Sequence, residues 1–161
     1  MRTVLFMCVF NATRTIMAEA LLNHLGGGRF RAFSAGEYAS SSVHPLTLEC
    51  LAAQGIPTQG LRSKTWLQYI GLGAPRIDFI ITVCDDSKED MSRQWRHEPI
   101  KAHWDTANPA AVRGTDEDVR RAFESTLDLL RRRVEAFLQL PLDSLDRTTQ
   151  WREIMGVGEI H

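Results

Sequence analysis

The chain has 161 residues, of which 43% are hydrophobic and 24% are charged, the usual composition of a globular protein that can bury a core. Its formal net charge of −1 excludes a strongly basic surface, so we expect no nucleic-acid partner. No apolar run approaches the roughly 20 residues that span a membrane, and the N-terminal apolar stretch is too short for a signal peptide. We therefore expect a cytoplasmic protein with no membrane partner.

Predicted strands and helices alternate along the sequence. Apolar, β-rich runs predict strands at residues 3–7, 31–34, 78–83 and 100–104. Helical spacing of apolar residues, with Pro and Gly near the ends, predicts helices at residues 15–25, 45–54, 116–140 and 146–155, and a short helix within residues 61–69. The alternation predicts an α/β fold, a four-stranded parallel sheet in three α-β-α layers, as a single domain over residues 1–161.

The longest predicted helix carries a run of three arginines. Its apolar residues recur every three or four positions, so one face of this helix is expected to be buried. Arg131, Arg132 and Arg133 lie in its later turns, where the helix dipole favours positive charge. We predict that this run lies on a solvated helix face and is not a binding patch.

The most informative segment follows the first predicted strand. Five residues separate Cys8 from Arg14, and Thr15 follows, so the segment joins a strand end to a helix N-terminus. Backbone N–H groups of such a loop and the positive end of the helix dipole bind oxyanions. The predicted substrate-binding residues are those of the loop: Val9, Phe10, Asn11, Ala12, Thr13, Arg14 and Thr15.

Cys8 and Arg14 are the predicted catalytic residues of this loop. The loop dipoles and Arg14 favour a thiolate, so we expect the pKa of Cys8 to lie below the ordinary value of about 8.5. The Arg14 guanidinium can grip two oxygens of a tetrahedral oxyanion. The pattern predicts an enzyme whose thiolate attacks phosphate, arsenate or an isosteric oxyanion. The alternative is that Cys8 is a small buried hydrophobe at a strand end.

Further segments carry a resemblance to a known family. They are Met17-Ala18-Glu19-Ala20, Phe33-Ser34-Ala35-Gly36, Val43-His44-Pro45, Leu61-Arg62-Ser63-Lys64 and Ile81-Thr82-Val83-Cys84-Asp85-Asp86. With the Cys8 loop, they resemble the low-molecular-weight protein tyrosine phosphatases and the arsenate reductases built on the same fold. His103-Trp104 and Asn108-Pro109-Ala110 are similar to the arsenate reductase branch in particular. The resemblance extends from Arg2 to about Leu140 and implies the low-molecular-weight phosphatase fold.

The resemblance also implies a catalytic role for Cys84. In the arsenate reductase branch, a first cysteine attacks arsenate and a second cysteine attacks the first, so that arsenite leaves and a disulfide forms. Cys84 matches that second cysteine. Cys8 and Cys84 both follow strand ends, so they share one edge of the sheet if their strands are neighbours. The alternative is that Cys84 is a buried structural thiol, and Cys50, within a predicted helix, is expected in the core.

The three cysteines, an odd number with wide spacing, predict neither a secreted disulfide framework nor a zinc site. We expect no metal and no bound cofactor. The expected partners are arsenate or a phosphate-like oxyanion and an external thiol reductant: thioredoxin, glutaredoxin with glutathione, or another low-molecular-weight thiol. Thioredoxin-coupled members of the branch carry a third cysteine where this chain has Met91 and Ser92. The resemblance therefore implies that a Cys8–Cys84 disulfide is reduced directly, or that a small thiol resolves the adduct.

The segment after the last predicted strand departs from the family pattern. The family's general acid is an aspartate just before a proline, and this chain has Asn108 before Pro109. An amide cannot deliver a proton to a leaving oxygen. Asp105, three residues earlier, is the predicted substitute, and the alternative is that Asp105 is a solvated loop residue.

Three classes of function remain open. An arsenate reductase is favoured by Cys84 and by the His103-Trp104 segment. A phosphatase acting on phosphotyrosine or a small phosphoester is the alternative, although Tyr38 and Tyr69 are the only tyrosines and offer no clear aromatic pair for a phosphotyrosine cleft. An oxyanion-binding regulatory protein with weak or no turnover is supported by Asn108.

Overall fold

The fold is organised around one parallel β-sheet. The computed structural model describes residues 1–84, 95 and 97–161. Four strands lie in the order β2-β1-β3-β4 and all neighbouring pairs are parallel. They are β1 (Arg2–Cys8), β2 (Phe30–Gly36), β3 (Phe79–Thr82) and β4 (Ile100–His103). The predicted four-stranded parallel sheet of an α/β fold is confirmed.

Four α-helices connect and follow the strands. They are α1 (Arg14–Leu25), α2 (Pro45–Ala53), α3 (Asp116–Leu138) and α4 (Arg147–Val157), and a short 3-10 helix spans Trp66–Tyr69. Local sequence explains where the long helix begins, because Thr115 and Asp118 form a reciprocal capping box. Among the described residues, no helix is both long enough and apolar enough to cross a membrane.

Alternate residues of β1 belong to two apolar clusters on opposite faces of the sheet. Val4 and Phe6 belong to the larger cluster, which contains buried side chains from all four helices. Leu5 and Met7 belong to the smaller cluster, beside the 3-10 helix of Trp66–Tyr69. The period of two in a strand produces this division. All four of these β1 side chains are fully buried, so the strand that leads to Cys8 is a rigid support.

The prediction for the arginine run is wrong at one position. Arg131 and Arg132 are solvent-accessible and pair with Glu135 and Asp128 along the helix. Arg133 is 0% exposed. Position 133 lies three residues after the buried Leu130, so it falls on the apolar face of α3 and not on the solvated face.

Candidate active site

Parallel pairing of β1 and β3 brings two cysteines together. Met7 pairs with Thr82, so Cys8 and Cys84 emerge at the same carboxyl edge of the sheet. Their Sγ atoms are 3.0 Å apart, and both residues are buried. The strand order, which the sequence left open, therefore makes these cysteines neighbours.

The carbonyl groups of the loop after Cys8 bond to the segment that follows β2. The carbonyl oxygens of Val9, Phe10 and Ala12 accept hydrogen bonds from backbone N–H groups of residues 38, 40 and 44. Within the described part of the chain, no backbone N–H of residues 10–13 donates to another residue. α1 follows directly, with no acidic residue in its first turn to offset the dipole. The carbonyl groups of the loop are thus bonded elsewhere and its N–H groups lie at a positive helix end, which suits a tetrahedral oxyanion.

Asn11 fixes the shape of this loop. It is the non-glycine residue with a positive φ, 52°, in the described chain, and its side chain is almost fully buried. Its amide nitrogen donates to Thr15 Oγ1 at 2.8 Å and to Ser34 Oγ at 2.9 Å, and its amide oxygen accepts from the backbone N–H of Lys64 at 2.9 Å. Asparagine tolerates the left-handed region better than most residues. One side chain therefore holds the loop to three other segments.

Arg14 reaches back from the first turn of α1 to the nucleophile. Its Nη1 donates to the backbone carbonyl of Thr106 at 2.7 Å, and its Nη2 lies 3.4 Å from Cys8 Sγ. The carbonyl orients the guanidinium plane, so that the second nitrogen faces the Cys8 sulfur.

The pKa of Cys8 differs from the expectation drawn from the loop alone. The hydrogen bond with Cys84 raises the pKa of the Cys8 thiol, and burial raises it further. Arg14 and the backbone N–H of Val9 act in the opposite direction and lower this pKa. In this arrangement Cys8 is a neutral thiol that donates to Cys84, and its thiolate forms more readily once the contact with Cys84 is broken.

A buried polar network that sequence reasoning did not assign lies beneath the loop. Ser34 Oγ donates to Glu19 Oε1 at 2.5 Å, and Lys64 Nζ lies 3.3 Å from the same carboxylate oxygen. Lys64 also donates to the backbone carbonyl of Arg62 at 2.9 Å. Burial lowers the pKa of Lys64, and Glu19 opposes that change. The sequence signal for such a network is a charged or polar residue within a segment whose other residues are buried.

Residues 3–150 match the family described as low molecular weight phosphotyrosine protein phosphatase. The chain belongs to this family. Its members named arsenate reductase include one from Shouchella clausii that is 26% identical over 138 residues, which covers 86% of this chain and 96% of the relative.

Two further relatives are named for glutaredoxin and for a phosphate binding state. A glutaredoxin arsenate reductase from Synechocystis is 28% identical over 109 residues, covering 68% of this chain and 79% of the relative. A solved arsenate reductase in the phosphate binding state has a TM-score of 0.69 and 25% identity, covering 86% of this chain and 97% of the other. The family and these relatives together indicate an enzyme.

Two residues stand near the family's expected acid position. The Asp105 side chain is largely exposed, with Oδ1 4.0 Å from His103 Nε2. Asn108 Oδ1 accepts from the backbone N–H of Ala110 at 3.1 Å and thereby caps a short 3-10 helix. The predicted role of Asp105 as general acid stays a prediction. Met91 and Ser92 lie outside the described residues.

An aromatic pair that the sequence did not reveal flanks the loop. The rings of Phe10 and Tyr38 have centroids 6.3 Å apart, and both side chains are more than half exposed. They meet because the backbone N–H of Tyr38 bonds to the carbonyl of Val9. These two rings form an exposed aromatic surface beside the loop.

Cys50 lies apart from the other two cysteines. It is buried in α2 within the larger apolar cluster, as predicted, and burial raises its pKa. In the described ranges, no group of three or more His, Cys, Asp or Glu side chains is placed to hold a metal ion.

Proposed function

We propose that this protein is an arsenate reductase that uses Cys8 as nucleophile and Cys84 as resolving cysteine. The observation that carries the proposal is the 3.0 Å separation of the two sulfur atoms, at the base of an oxyanion-shaped loop with Arg14 beside them. A phosphatase needs one thiol for a phosphoenzyme, whereas a two-electron reduction needs two thiols that can meet.

In the first step, arsenate enters the loop and the Cys8 thiolate attacks arsenic. A sulfur–arsenic bond forms, and one arsenate oxygen leaves as water after it receives a proton. The loop N–H groups and Arg14 stabilise the negative charge on the remaining oxygens. Arsenic is still pentavalent at this point.

In the second step, the Cys84 thiolate attacks Cys8 Sγ. A sulfur–sulfur bond forms, and the sulfur–arsenic bond breaks with its electron pair on arsenic, which leaves as trivalent arsenite. The two thiols are oxidised together by two electrons. A sulfur–sulfur bond is about 2.05 Å long, so the 3.0 Å separation requires an approach of only about 1 Å.

The disulfide must then be reduced from outside. The sequence has three cysteines, and the third, Cys50, is buried in α2. We therefore propose that an external thiol, from glutaredoxin with glutathione, thioredoxin or another low-molecular-weight thiol, attacks the Cys8–Cys84 disulfide directly. This chemistry suits the cytoplasm, where thiols are kept reduced.

Proton delivery to the leaving oxygen is assigned to Asp105. Its exposed carboxyl group lies on the segment that also supplies the Thr106 carbonyl to Arg14. Asp105→Asn should slow turnover by about 10²-fold, within the usual range for a lost general acid. Asn108→Asp should raise activity, because it restores an ionisable group at the family position. Equal activity in Asp105→Asn and the wild type would contradict the assignment.

The deciding experiment follows the thiols by mass spectrometry. Reduced protein mixed with arsenate should gain one Cys8–Cys84 disulfide, and none should form with phosphate. Cys84→Ser should form no intramolecular disulfide, whereas Cys50→Ser, the control, should behave like the wild type. Normal arsenate turnover by Cys84→Ser with a small thiol would show that Cys84 is only structural.

The second candidate is a phosphatase, which the exposed pair Phe10 and Tyr38 favours. Aromatic side chains beside an oxyanion loop can stack on an aryl phosphate. Hydrolysis of an aryl phosphate by Cys84→Ser, together with no arsenate-dependent disulfide in the wild type, would select this function. Oxyanion binding with neither activity would indicate a regulatory protein.

A further inference from the structure

Arg133 joins three parts of the chain that are distant in sequence. Its guanidinium donates to the backbone carbonyls of Ile160 at 3.0 Å, Gly158 at 3.0 Å and Asp105 at 2.9 Å, and to Thr106 Oγ1 at 3.0 Å. Its acceptors are three carbonyls and a hydroxyl. A buried charge with this many bonds is costly to leave unpaired, so the arrangement is well defined.

Thr106 connects this cluster to the candidate active site. Its hydroxyl accepts from Arg133 and donates to the Trp104 carbonyl at 2.7 Å, while its own carbonyl accepts from Arg14. Its backbone N–H donates to the carbonyl of Val83, the residue before Cys84, at 3.0 Å. The position of the Thr106 carbonyl, and therefore of the Arg14 guanidinium, depends on these bonds.

The end of the chain lies directly on the segment that contains Thr106. A Cβ atom added at Gly158 would stand 2.8 Å from the His103 carbonyl oxygen and 3.0 Å from a Trp104 ring carbon. The Trp104 indole N–H also donates to the Ile154 carbonyl of α4 at 2.8 Å. The family match ends at residue 150, within α4, so Ile154 and Gly158 lie beyond the matched residues.

We propose that Arg133 and residues 158–160 are positioning elements for Arg14: they hold Thr106 so that its carbonyl aims the guanidinium at an oxyanion above Cys8. This inference rests on the proposed function, because it requires the loop to bind oxyanions. Through linkage, an oxyanion bound at the loop must in turn stabilise the docked C-terminal residues. Residues 158–160 would thus influence oxyanion binding through Thr106 and Arg14, without contacting the oxyanion.

The test measures the affinity for inorganic phosphate by calorimetry on the full chain. Gly158→Ala should weaken phosphate binding about tenfold, because the added methyl displaces the tail while the helical φ of −64° accommodates alanine. Gly156→Ala is the matched control, since an added Cβ there meets nothing within 4 Å. Thr106→Val, which keeps the carbonyl and loses the hydroxyl, should also weaken binding several-fold.

A second pair of variants tests the arginine directly. Arg133→Met should weaken phosphate binding at least tenfold, whereas Arg131→Met, which removes a solvent-accessible side chain bonded to Glu135 and Gln54, should not. If Arg133→Met does not fold, Gly158→Ala and Thr106→Val decide the question. Saturating phosphate should also slow hydrogen exchange of the Ile160 N–H in the wild type and not in Gly158→Ala, an effect that a merely structural role would not produce.

The outcomes separate the two proposals. Wild-type affinity in Gly158→Ala and Thr106→Val overturns this inference and leaves the oxyanion site intact. An equal loss in Gly156→Ala and Arg131→Met also overturns it, because the effect would then be general destabilisation. A wild-type protein that binds neither phosphate nor arsenate overturns the oxyanion site, and this inference with it.

Discussion

Replacing Asn11 by alanine should be among the most damaging single changes in the oxyanion loop. The change removes three buried hydrogen bonds, to Thr15, Ser34 and the backbone N–H of Lys64. At roughly 1 kcal/mol each, they contribute about 3 kcal/mol. Alanine at a φ of 52° adds about 1 kcal/mol of backbone strain. The expected loss of about 4 kcal/mol is large beside a typical total stability of roughly 5–15 kcal/mol.

A glycine variant separates the two contributions. Asn11→Gly loses the same hydrogen bonds but adopts positive φ without strain, although it has more backbone entropy to lose on folding. We expect it to be about 0.5–1 kcal/mol more stable than Asn11→Ala. Asn108→Ala is the matched control, because Asn108 is exposed and makes one capping bond, and it should cost about 1 kcal/mol or less.

Urea unfolding followed by circular dichroism measures these differences directly. If Asn11→Ala lost no more stability than Asn108→Ala, the amide would not be holding the loop. If Asn11→Gly were less stable than Asn11→Ala, the left-handed backbone at this position would be refuted. Both results would remove the structural basis for a preformed oxyanion cradle.

Three further predictions concern titration and charge. Cys84→Ala should lower the pKa of Cys8, because the hydrogen bond with Cys84 is the main cause that raises it. Iodoacetamide should then alkylate Cys8 about tenfold faster at neutral pH, and unchanged alkylation would contradict that cause. Arg14→Lys should weaken phosphate protection of Cys8 about tenfold, because one ammonium cannot replace both guanidinium contacts, and full protection in this variant would refute the role of the fork. Burial raises the pKa of Tyr69 from 10.0 to about 12, so Tyr69 ionises at a lower pH in the unfolded chain than in the folded one. The free energy of unfolding is therefore unaffected below pH 10 and falls as the pH rises from 10 towards about 12. Urea unfolding across this range should show a decline that is shallower in Tyr69→Phe by about 1.4 kcal/mol per pH unit, and identical declines would refute the assignment.

The secondary-structure elements, and the edge of the sheet that holds the candidate active site, could be predicted from the sequence. Apolar runs and capping residues located all four strands and four helices, since these signals are local. The positions of Cys8 and Cys84 at strand ends were also local. Their contact was not, because it depends on β1 and β3 being neighbours in the sheet.

The parts that sequence reasoning missed depend on distant backbone groups. Arg133 is buried because carbonyls from residues 105, 158 and 160 meet it, and no local pattern predicts where those carbonyls lie. Asn11 bonds to a backbone N–H 53 residues away. The direction of the Cys8 pKa has the same origin, because it follows from the distance to Cys84 and not from the loop motif.

The separation of Cys8 and Cys84 along the chain has a consequence for the energetics of turnover. A covalent link between residues 76 positions apart would restrict the unfolded chain and stabilise the folded one by roughly 4–5 kcal/mol on a chain-entropy argument. The oxidised chain that remains after arsenite departs would then melt at a higher temperature than the reduced chain. Folding would in this way lower the reduction potential of the disulfide. The external thiol would therefore have to be a stronger reductant than one that reduces the same disulfide in the unfolded chain.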